Sequence, residues 1–532
     1  MTSTPVPEAR SSYDEVPYLK SAFPQTHPDR LATLARLFGL APPDLETCRV
    51  LELGCASGDN LIPMALGLPN ARFLGIDSSI RQIEQGRQTI DALGLTNIEL
   101  RHASIADMTA ADGRFDYIVC HGVYSWVPEP IREAILQICR DNLVSEGVAY
   151  VSYNTLPGWR VRGMIRDMMI YHSDQFEGAA ERLQQARALL DFLAQSVPAD
   201  LPHSTTLKQE LNVIRPEADA YLFHDYLEDV NEPVYFHQFA KAAARNRLQY
   251  LAEADFSGML VSNFPPQVAE TLRRIATDIV RMEQYMDFVR NRTFRQTLLV
   301  HEGAPIKRNL DGQALAGFLL VSSTQPASAQ PSLAQGVPET FRIARASVTT
   351  PNGITKAALL FLTQQYPLGI GFEELASVAR ARLVECGVGD GPDATPERDR
   401  QILGNDLLQA YAVDAVELHV RIPRMSSTPS ARPVASPLAR LQATQGEKVT
   451  NLRHEVVVLD SFSRQILPLL DGTRDREALA AALAKLAKEG VLKVRDKQSG
   501  ASLTSATALD DVLRRVVQAG LPSLARAALL QQ

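Results

Sequence analysis

The chain has 532 residues, which is more than one hydrophobic core usually supports and predicts about three domains. Its formal net charge of -7 makes a nucleic-acid-binding protein unlikely as a class. The first residues lack the apolar core of a signal peptide, and no apolar stretch is long enough to span a bilayer. Five scattered cysteines without a CxxC pair are typical of reduced thiols, so we expect a cytoplasmic protein without membrane insertion.

Residues 49 to 159 alternate apolar runs with helical patterns. The runs are RVLELG, ARFLGID, IELRHAS, FDYIVCHGV and GVAYVSYN. Strands that alternate with amphipathic helices predict an α/β fold built on a parallel sheet. Residues 160 to 302 begin with several helical patterns. Two further strand-like runs follow, RLQYLAEADF and RTFRQTLLVH, with a long helix between them. We predict that these runs are the last two strands of the same sheet, which is then completed near residue 302.

Two tracts rich in serine, proline, alanine and glutamine, residues 322 to 336 and 426 to 437, predict linkers. They separate a middle domain at 303 to 425 from a C-terminal domain at 438 to 532. Both contain short helices followed by a strand-like run, so we expect two smaller, mainly helical, winged-helix-like domains. Residues 1 to 48 are predicted to be an N-terminal segment of their own.

The stretch VLELGCASGDN, residues 50 to 60, follows the first strand and indicates which ligand the sheet binds. A dinucleotide loop needs GxGxxG, but Asp59 occupies the third glycine position, where its carboxylate would repel a pyrophosphate. The lysine of a GxxxxGK loop is absent as well. The pattern that fits is acid-x-Gly-x-(Gly/Ala)-x-Gly, at Glu52, Gly54, Ala56 and Gly58. It suits a ligand without phosphate whose ribose and amino-acid tail lie against the backbone.

This loop resembles that of class I S-adenosylmethionine-dependent methyltransferases, and the next strand ends in Asp77, where a carboxylate can accept hydrogen bonds from both ribose hydroxyls. Asp77 could instead cap the following helix. The resemblance implies a Rossmann-like sheet with helical insertions, S-adenosylmethionine as cofactor, and Ser104 and Ile105 at its adenine. The cofactor-binding candidates are Glu52, Gly54, Cys55, Ala56, Gly58, Asn60, Asp77, Ser78, Ser104, Ile105 and His121. The ten histidines include no HExxH or similar spacing, so no metal site is predicted.

The fourth and fifth strands end in HGVYSWVP and YVSYNTLPGW. Functional residues of an open parallel sheet lie at the carboxyl ends of its strands. We therefore expect Tyr124, Trp126, Tyr153 and Asn154 to face the transferred methyl group, because aromatic walls attract a cation and hold an amine in line. Core packing is the alternative for each aromatic residue taken singly. If a general base exists, His121 and Tyr124 are the nearest candidates.

Longer stretches of the sequence restrict the resemblance to one group of class I methyltransferases. YDEVPYLKSAFPQTHPDRLATLARLFGL and YLFHDYLEDVNEPVYFHQFAKAAARNRLQYLAEADF are similar to class I methyltransferases with a methyltransferase regulatory domain. That group includes bacterial protein-lysine methyltransferases that act on outer-membrane proteins. The match covers about residues 13 to 302 and implies a homodimer that methylates lysine side chains of a protein substrate, such as an outer-membrane or surface protein. It also implies that Tyr18 and His27 close over the cofactor, although His27 could simply start a helix.

Two other functions remain open. The first is a small-molecule methyltransferase whose helical insertion forms a lid, and the second is a non-catalytic regulator that binds S-adenosylmethionine. The insertion and the two extra domains favour a large substrate. The intact loop and the aromatic strand ends argue against loss of catalysis. We expect the segments after residue 302 to select the substrate and to take no part in the chemistry.

Overall fold

The computed structural model describes residues 16, 21–198, 200–201, 203–344, 346–388, 395–492 and 506–532. The chain divides into two compact units. The first contains Leu40–Pro305, and the second combines Ser21–Gly39 with Ile306–Gln532. The predicted N-terminal segment is therefore shared between the units, and both predicted C-terminal domains fall in the second. The finer division into five segments stays a prediction.

The first α-helix of the second unit is α1, Pro28–Leu37. The residues that it contacts are distant from it in the sequence. Asp29 in α1 accepts hydrogen bonds at Oδ1 from the backbone N–H groups of Val420 and Arg421, at 2.9 and 2.8 Å. Its Oδ2 lies 2.7 Å from Nδ1 of His419. Burial alone would lower the pKa of His419, but Asp29 and Glu417 raise it to about 9, so the ring is charged at neutral pH. These contacts hold α1 to the C-terminal part of the chain.

Seven strands of the first unit form one sheet in the order β3-β2-β1-β4-β5-β7-β6. In chain order they are β1 Arg49–Leu53, β2 Arg72–Asp77, β3 Ile98–His102, β4 Phe115–Cys120, β5 Leu143–Asn154, β6 Leu248–Glu253 and β7 Phe294–His301. The first five strands pair in parallel, whereas β7 runs antiparallel to both β5 and β6. The predicted α/β sheet is confirmed, including its two late strands.

The helices of the first unit follow the strands or form the insertion. They are α2 Leu61–Gly67, α3 Ile80–Leu93, α4 Glu129–Asn142, α5 Trp159–Ser173, α6 Ala179–Ser196, α7 Ser204–Ile214, α8 Asp219–Leu222, α9 Phe236–Arg245, α10 Pro266–Ile275 and α11 Ile279–Arg290. A single π-helical turn, Phe223–Leu227, directly follows α8. Helices α5 to α8 bury a core of their own, which includes Ile165, Leu190 and Tyr226. The insertion is therefore a packed helical subdomain.

The faces of the central strands decide which side chains reach the site. Ile118 and Cys120 of β4 and Val151 and Tyr153 of β5 belong to one apolar core. Successive residues of a strand point to opposite faces. Asn154 therefore projects from the face opposite to Tyr153, although the two are adjacent in sequence.

A buried ionic cluster joins the two late strands to α11. The guanidinium of Arg295 in β7 is fully buried and lies 2.7 Å from Glu253, 3.0 Å from Glu283 and 2.8 Å from Asp287. Thr297 donates a hydrogen bond to Glu253 Oε1 at 2.8 Å. Buried charges are tolerated only when they are paired and hydrogen-bonded, and here the pairing fixes β6, β7 and α11 to one another.

The described residues of the second unit form three small sheets and seven more helices. Its strands are β8 Leu319–Val321, β9 Gln325–Pro326, β10 Glu339–Ile343, β11 Ala346–Thr350, β12 Ile370–Gly371, β13 Glu417–His419, β14 Lys448–Thr450 and β15 Val456–Val458. Its further helices are α12 Gly353–Gln365, α13 Phe372–Glu385, α14 Pro396–Tyr411, α15 Pro437–Gln445, α16 Ser461–Ile466, α17 Arg476–Lys488 and α18 Ala506–Arg526. No helix among the described residues has an apolar window of the length and hydropathy that a membrane span requires.

The prediction of free linkers is wrong for both tracts. In the first, Ser322 and Thr324 are buried, and Ser322 Oγ donates to the carbonyl oxygen of Ala415 at 2.8 Å. In the second, Ala435 is fully buried and its N–H donates to Leu470 O at 2.9 Å. Hydroxyl and backbone groups find partners in both tracts. A segment poor in large apolar residues can therefore still be packed.

Candidate functional site

The glycine loop after β1 has the backbone geometry that its sequence predicts. Gly54, Ala56 and Gly58 have φ angles of 74°, 50° and 73°, which lie in the left-handed region. A Cβ at Gly54 would lie 2.5 Å from Val123 Cγ2, so no larger residue fits there. The N–H groups of Gly54 and Cys55 donate to Ile76 O at 2.9 and 3.0 Å. The loop is thus a rigid backbone surface at the carboxyl ends of β1 and β2.

Asp77, the last residue of β2, organises this surface. Its Oδ2 accepts a hydrogen bond from the N–H of Ala56 at 2.9 Å, and its Oδ1 accepts one from the N–H of Ser79 at 2.8 Å. The N-cap of α3 is Ser79, whose Oγ accepts a hydrogen bond from the N–H of Gln82. Asp77 therefore does not cap that helix.

Glu52 lies beneath the loop and is almost fully buried. Its Oε1 accepts a hydrogen bond from Asn60 Nδ2 at 2.7 Å. Its Oε2 is buried and has no hydrogen-bond partner within the described part of the chain. Burial raises the pKa of Glu52 to about 8, with a smaller contribution from the nearby charges of Asp77 and Asp59. An unpaired buried carboxylate oxygen of this kind fits a cationic donor such as the ammonium group of a methionine tail.

The remaining cofactor candidates lie at the same edge of the sheet. Cys55 is buried in the loop, and Ser78 is exposed directly after β2. Ser104 follows β3 and caps the short helix Ile105–Asp107 by accepting a hydrogen bond from the N–H of Ala106. Ile105 packs against the core of the sheet. The parallel register of β1, β2 and β3 brings these positions together.

The aromatic residues that follow β4 and end β5 fall into two groups. Tyr124 and Tyr153 are buried with Phe239, and Tyr153 stacks on Phe239 at 4.2 Å between ring centroids. The hydroxyl of Tyr153 lies 3.0 Å from Thr297 Oγ1, which connects it to the ionic cluster. Burial raises the pKa of Tyr124 to about 12, so its phenol is protonated at neutral pH. Packing is thus the dominant role of Tyr153 in the structure.

Trp126 belongs to the second group, with a partner that the sequence analysis did not single out. Its ring lies 6.2 Å from that of Trp159, edge to face. Trp159 begins α5 and is 3% exposed, whereas Trp126 is half-buried. The chain contains only these two tryptophans, which is the one signal that could have drawn attention to Trp159.

Asn154 and His121 lie on the face opposite to Tyr153. The N–H of Asn154 donates to Ser125 Oγ at 2.9 Å, and its Nδ2 donates to Asn231 Oδ1 at 3.3 Å. His121 Nδ1 lies 2.9 Å from the hydroxyl of Tyr150. Burial lowers the pKa of His121 to about 4, so the ring is neutral at physiological pH. Neither His121 nor Tyr124 is therefore tuned to act as a general base.

The two N-terminal candidates have different outcomes. Tyr18 lies outside the described residues. His27 belongs to the second unit, where its Nδ1 accepts a hydrogen bond from the N–H of Asp29 and caps α1. Its ring lies 5.2 Å from that of His454. The structure therefore gives His27 a helix-start role, and cofactor contact by either residue stays a prediction. In the described ranges, no three metal-ligating side chains come together in a group that could hold a metal ion.

Family models match three parts of the chain. Residues 44–195 match a methyltransferase domain, residues 218–301 a predicted methyltransferase regulatory domain, and residues 431–529 the C-terminal winged-helix domain of PKMT. The last match confirms the prediction of a winged-helix fold for the C-terminal domain. A winged-helix fold for residues 303 to 425 stays a prediction.

Two relatives cover nearly the whole chain. An uncharacterized protein of Rickettsia prowazekii is 37% identical over 490 residues, which are 90% of this chain and 87% of that protein. The structure of PKMT2 from Rickettsia typhi in complex with AdoHcy superimposes with a TM-score of 0.86 at 33% identity. That match covers 97% of this chain and 100% of the Rickettsia chain.

Proposed function

Because the chain belongs to the class I S-adenosylmethionine-dependent methyltransferase family that includes PKMT2 of Rickettsia typhi, we propose that it methylates lysine side chains of a protein substrate. The observation that carries this proposal is the match to PKMT2 over 97% of the chain, well beyond the catalytic sheet. The PKMT winged-helix match at residues 431–529 supports the same substrate class. A small-molecule methyltransferase with a helical lid has no comparable support.

The cofactor is S-adenosylmethionine, which supplies an electrophilic methyl group on a sulfonium centre when bound. We assign its ammonium group to Glu52 Oε2, since that buried oxygen has no other partner among the described residues. We assign its ribose hydroxyls to Asp77, whose carboxylate already holds the glycine loop in place. Glycine at positions 54 and 58 gives the loop its positive φ angles and leaves room for Val123 and Leu100, which pack against it.

The acceptor amine must lose its proton before it can attack. Lysine has a reference pKa of about 10.4, and burial lowers the pKa of an amine because it disfavours the charged form. Trp126 supplies an apolar wall, and Asn154 supplies a carbonyl oxygen that accepts from the amine. The chain thus contributes desolvation and orientation, and the proton leaves to solvent.

With saturating S-adenosylmethionine, the dependence of turnover on pH should report the acceptor lysine alone. Between about pH 6 and pH 9 we expect kcat/KM to rise about tenfold per pH unit, because the neutral amine is the reactive form. His121, with its pKa lowered to about 4, is neutral throughout this range and adds no inflection. The check is a pH–rate profile with a lysine peptide for the unmodified enzyme and for His121→Asn. A flat profile in the unmodified enzyme, with the slope appearing only in His121→Asn, would identify His121 as the base.

Cofactor binding should release close to one proton per site at pH 7. Glu52, with its pKa raised to about 8, is mostly protonated before binding, and pairing with an ammonium group favours its carboxylate form. The release is measured by titration calorimetry in two buffers of different ionisation enthalpy. Glu52→Gln should bind more weakly and release no proton. Binding without proton release in the unmodified enzyme would remove Glu52 from the cofactor site.

Two further parts of the proposal rest on the family resemblance: a homodimer, and an outer-membrane or surface protein as substrate. A cytoplasmic location is proposed from the cysteines. All five cysteines are free thiols, which supports a reducing compartment. The proposal as a whole is tested by incubating the enzyme with methyl-labelled cofactor and fractionated cell extract. Label in protein bands, strongest in the outer-membrane fraction, is the expected result. Label confined to small molecules would overturn the lysine assignment, and no transfer at all would favour a cofactor-binding regulator.

A further inference from the structure

The segment between the π-helical turn and α9, residues 228–235, returns from the helical insertion to the catalytic edge of the sheet. The N–H of Glu232 donates to Ser125 O at 2.8 Å, and the N–H of Val234 donates to Asn154 O at 3.2 Å. Both acceptors lie at the carboxyl ends of β4 and β5. This segment, called the return segment below, is therefore fixed directly beside the predicted acceptor residues.

The return segment orients Asn154. Asn154 is 3% exposed, and its Nδ2 donates to Asn231 Oδ1 at 3.3 Å. The other polar atom of this side chain, Asn154 Oδ1, is an acceptor. Asn231 in turn presents its own Nδ2, which is buried and has no acceptor within the described ranges. The pair thus offers one acceptor and one donor to a ligand.

A second unpaired donor lies beside Trp126. The Nε1–H of Trp159 is buried and has no acceptor among the residues that the structure describes. The Trp159 ring is held edge to face by Trp126 on one side, and Arg162 lies 5.5 Å from its centroid. A buried donor without an acceptor is unfavourable, so an acceptor is expected there when the site is filled.

We propose that Asn231 and Trp159 bind the polypeptide backbone on either side of the acceptor lysine, with their N–H groups donating to its carbonyl oxygens. Asn154 Oδ1 then accepts from the lysine amine, while Trp126 packs against the aliphatic stem. Two donors and one acceptor match a lysyl residue within a chain, which carries backbone carbonyl oxygens and one amine. Asn231 has a second role, because it orients the amide of Asn154. The assignment rests on the proposed lysine methylation.

Trp159→Phe and Asn231→Ala separate these roles. Trp159→Phe keeps the ring but removes the N–H, so we expect KM for a lysine peptide to rise about fivefold while kcat is unchanged. Asn231→Ala should raise KM similarly and also lower kcat, since Asn154 loses its orienting partner. Tyr226→Phe is the matched control, because its hydroxyl is also buried without a described partner but belongs to the separate core of the insertion. It should leave both constants unchanged.

Intrinsic fluorescence gives a readout that does not depend on turnover, since the only two tryptophans of the chain lie at this site. The emission of the AdoHcy complex is titrated with the lysine peptide. We expect the dissociation constant of the peptide to rise about fivefold in Asn231→Ala, with AdoHcy affinity and thermal stability unchanged. If the unmodified enzyme methylates the peptide but both variants bind it equally well, this assignment is wrong and the proposed function stands. If the unmodified enzyme neither binds nor methylates any lysine peptide, the proposed function itself fails.

Discussion

Replacing Arg295 with methionine should lower the local free energy of unfolding of β6 and β7 by about 3 to 5 kcal/mol, the usual effect of removing one partner from a buried ion pair. Arg295 is fully buried and pairs with Glu253, Glu283 and Asp287. Methionine is of similar length but would leave these carboxylates without their central cation. Native-state hydrogen exchange of the β6 and β7 amides measures the change directly, without requiring two-state unfolding of the whole chain.

Arg281→Met provides the control for this experiment. Arg281 also belongs to α11, but its side chain is 62% exposed and lies 3.7 Å from the exposed carboxylate of Asp278. Surface pairs of this kind contribute at most about 1 kcal/mol. Equal exchange in the Arg295 and Arg281 variants would mean that the ionic cluster does not hold the late strands together.

Asp77→Ala should weaken S-adenosylmethionine binding by about 1.5 to 3 kcal/mol, or roughly 10- to 150-fold, as expected for hydrogen bonds to a charged group. The carboxylate holds the N–H of Ala56 in the glycine loop and, in our assignment, the ribose hydroxyls. Titration calorimetry measures the change. Asp116→Ala is the matched control, since Asp116 accepts from the N–H of Arg49 at the start of β1, at 2.7 Å. It should bind the cofactor normally, and equal weakening in both variants would indicate a general loss of sheet stability.

The sheet and the cofactor loop could be predicted because their signals are local. Alternating apolar runs predict the parallel strands, and the spacing from Glu52 to Asp77 spans one strand-loop-helix-strand unit. The two late strands were predicted from the same alternation, despite the helical insertion before them. Backbone requirements such as the positive φ of Gly54 also leave a direct mark on the sequence.

The acceptor side of the site could be predicted only in part. Tyr153 and Asn154 both lie at the carboxyl end of β5, so the sequence selects both as site residues. Successive residues of a strand point to opposite faces, so only one of the two can face the core. Packing partners such as Phe239 show that this residue is Tyr153. Asn231 lies 77 residues from Asn154 in the chain, and no local pattern pairs two such positions. Trp159 was not predicted as a site residue for the same reason.

The second unit shows the same limit more clearly. Asp29 and His419 are separated by 390 residues, so the packing of α1 against the C-terminal part of the chain had no local signal. The two tracts predicted to be linkers are poor in large apolar residues. Their stability comes from hydrogen bonds such as that from Ser322 to Ala415, which composition does not reveal. Composition predicts which segments can form a core but not which segments can pack against one.

The central claim is that this methyltransferase modifies lysine side chains. The most direct test is amino-acid analysis of protein that the enzyme has labelled from methyl-labelled S-adenosylmethionine, with Asp77→Ala as the negative control. The account predicts acid-stable label that co-elutes with mono-, di- or trimethyllysine and is strongly reduced in the variant. Label that is released by mild base, as from a carboxyl methyl ester, or that elutes with methylated arginine or histidine, would contradict it.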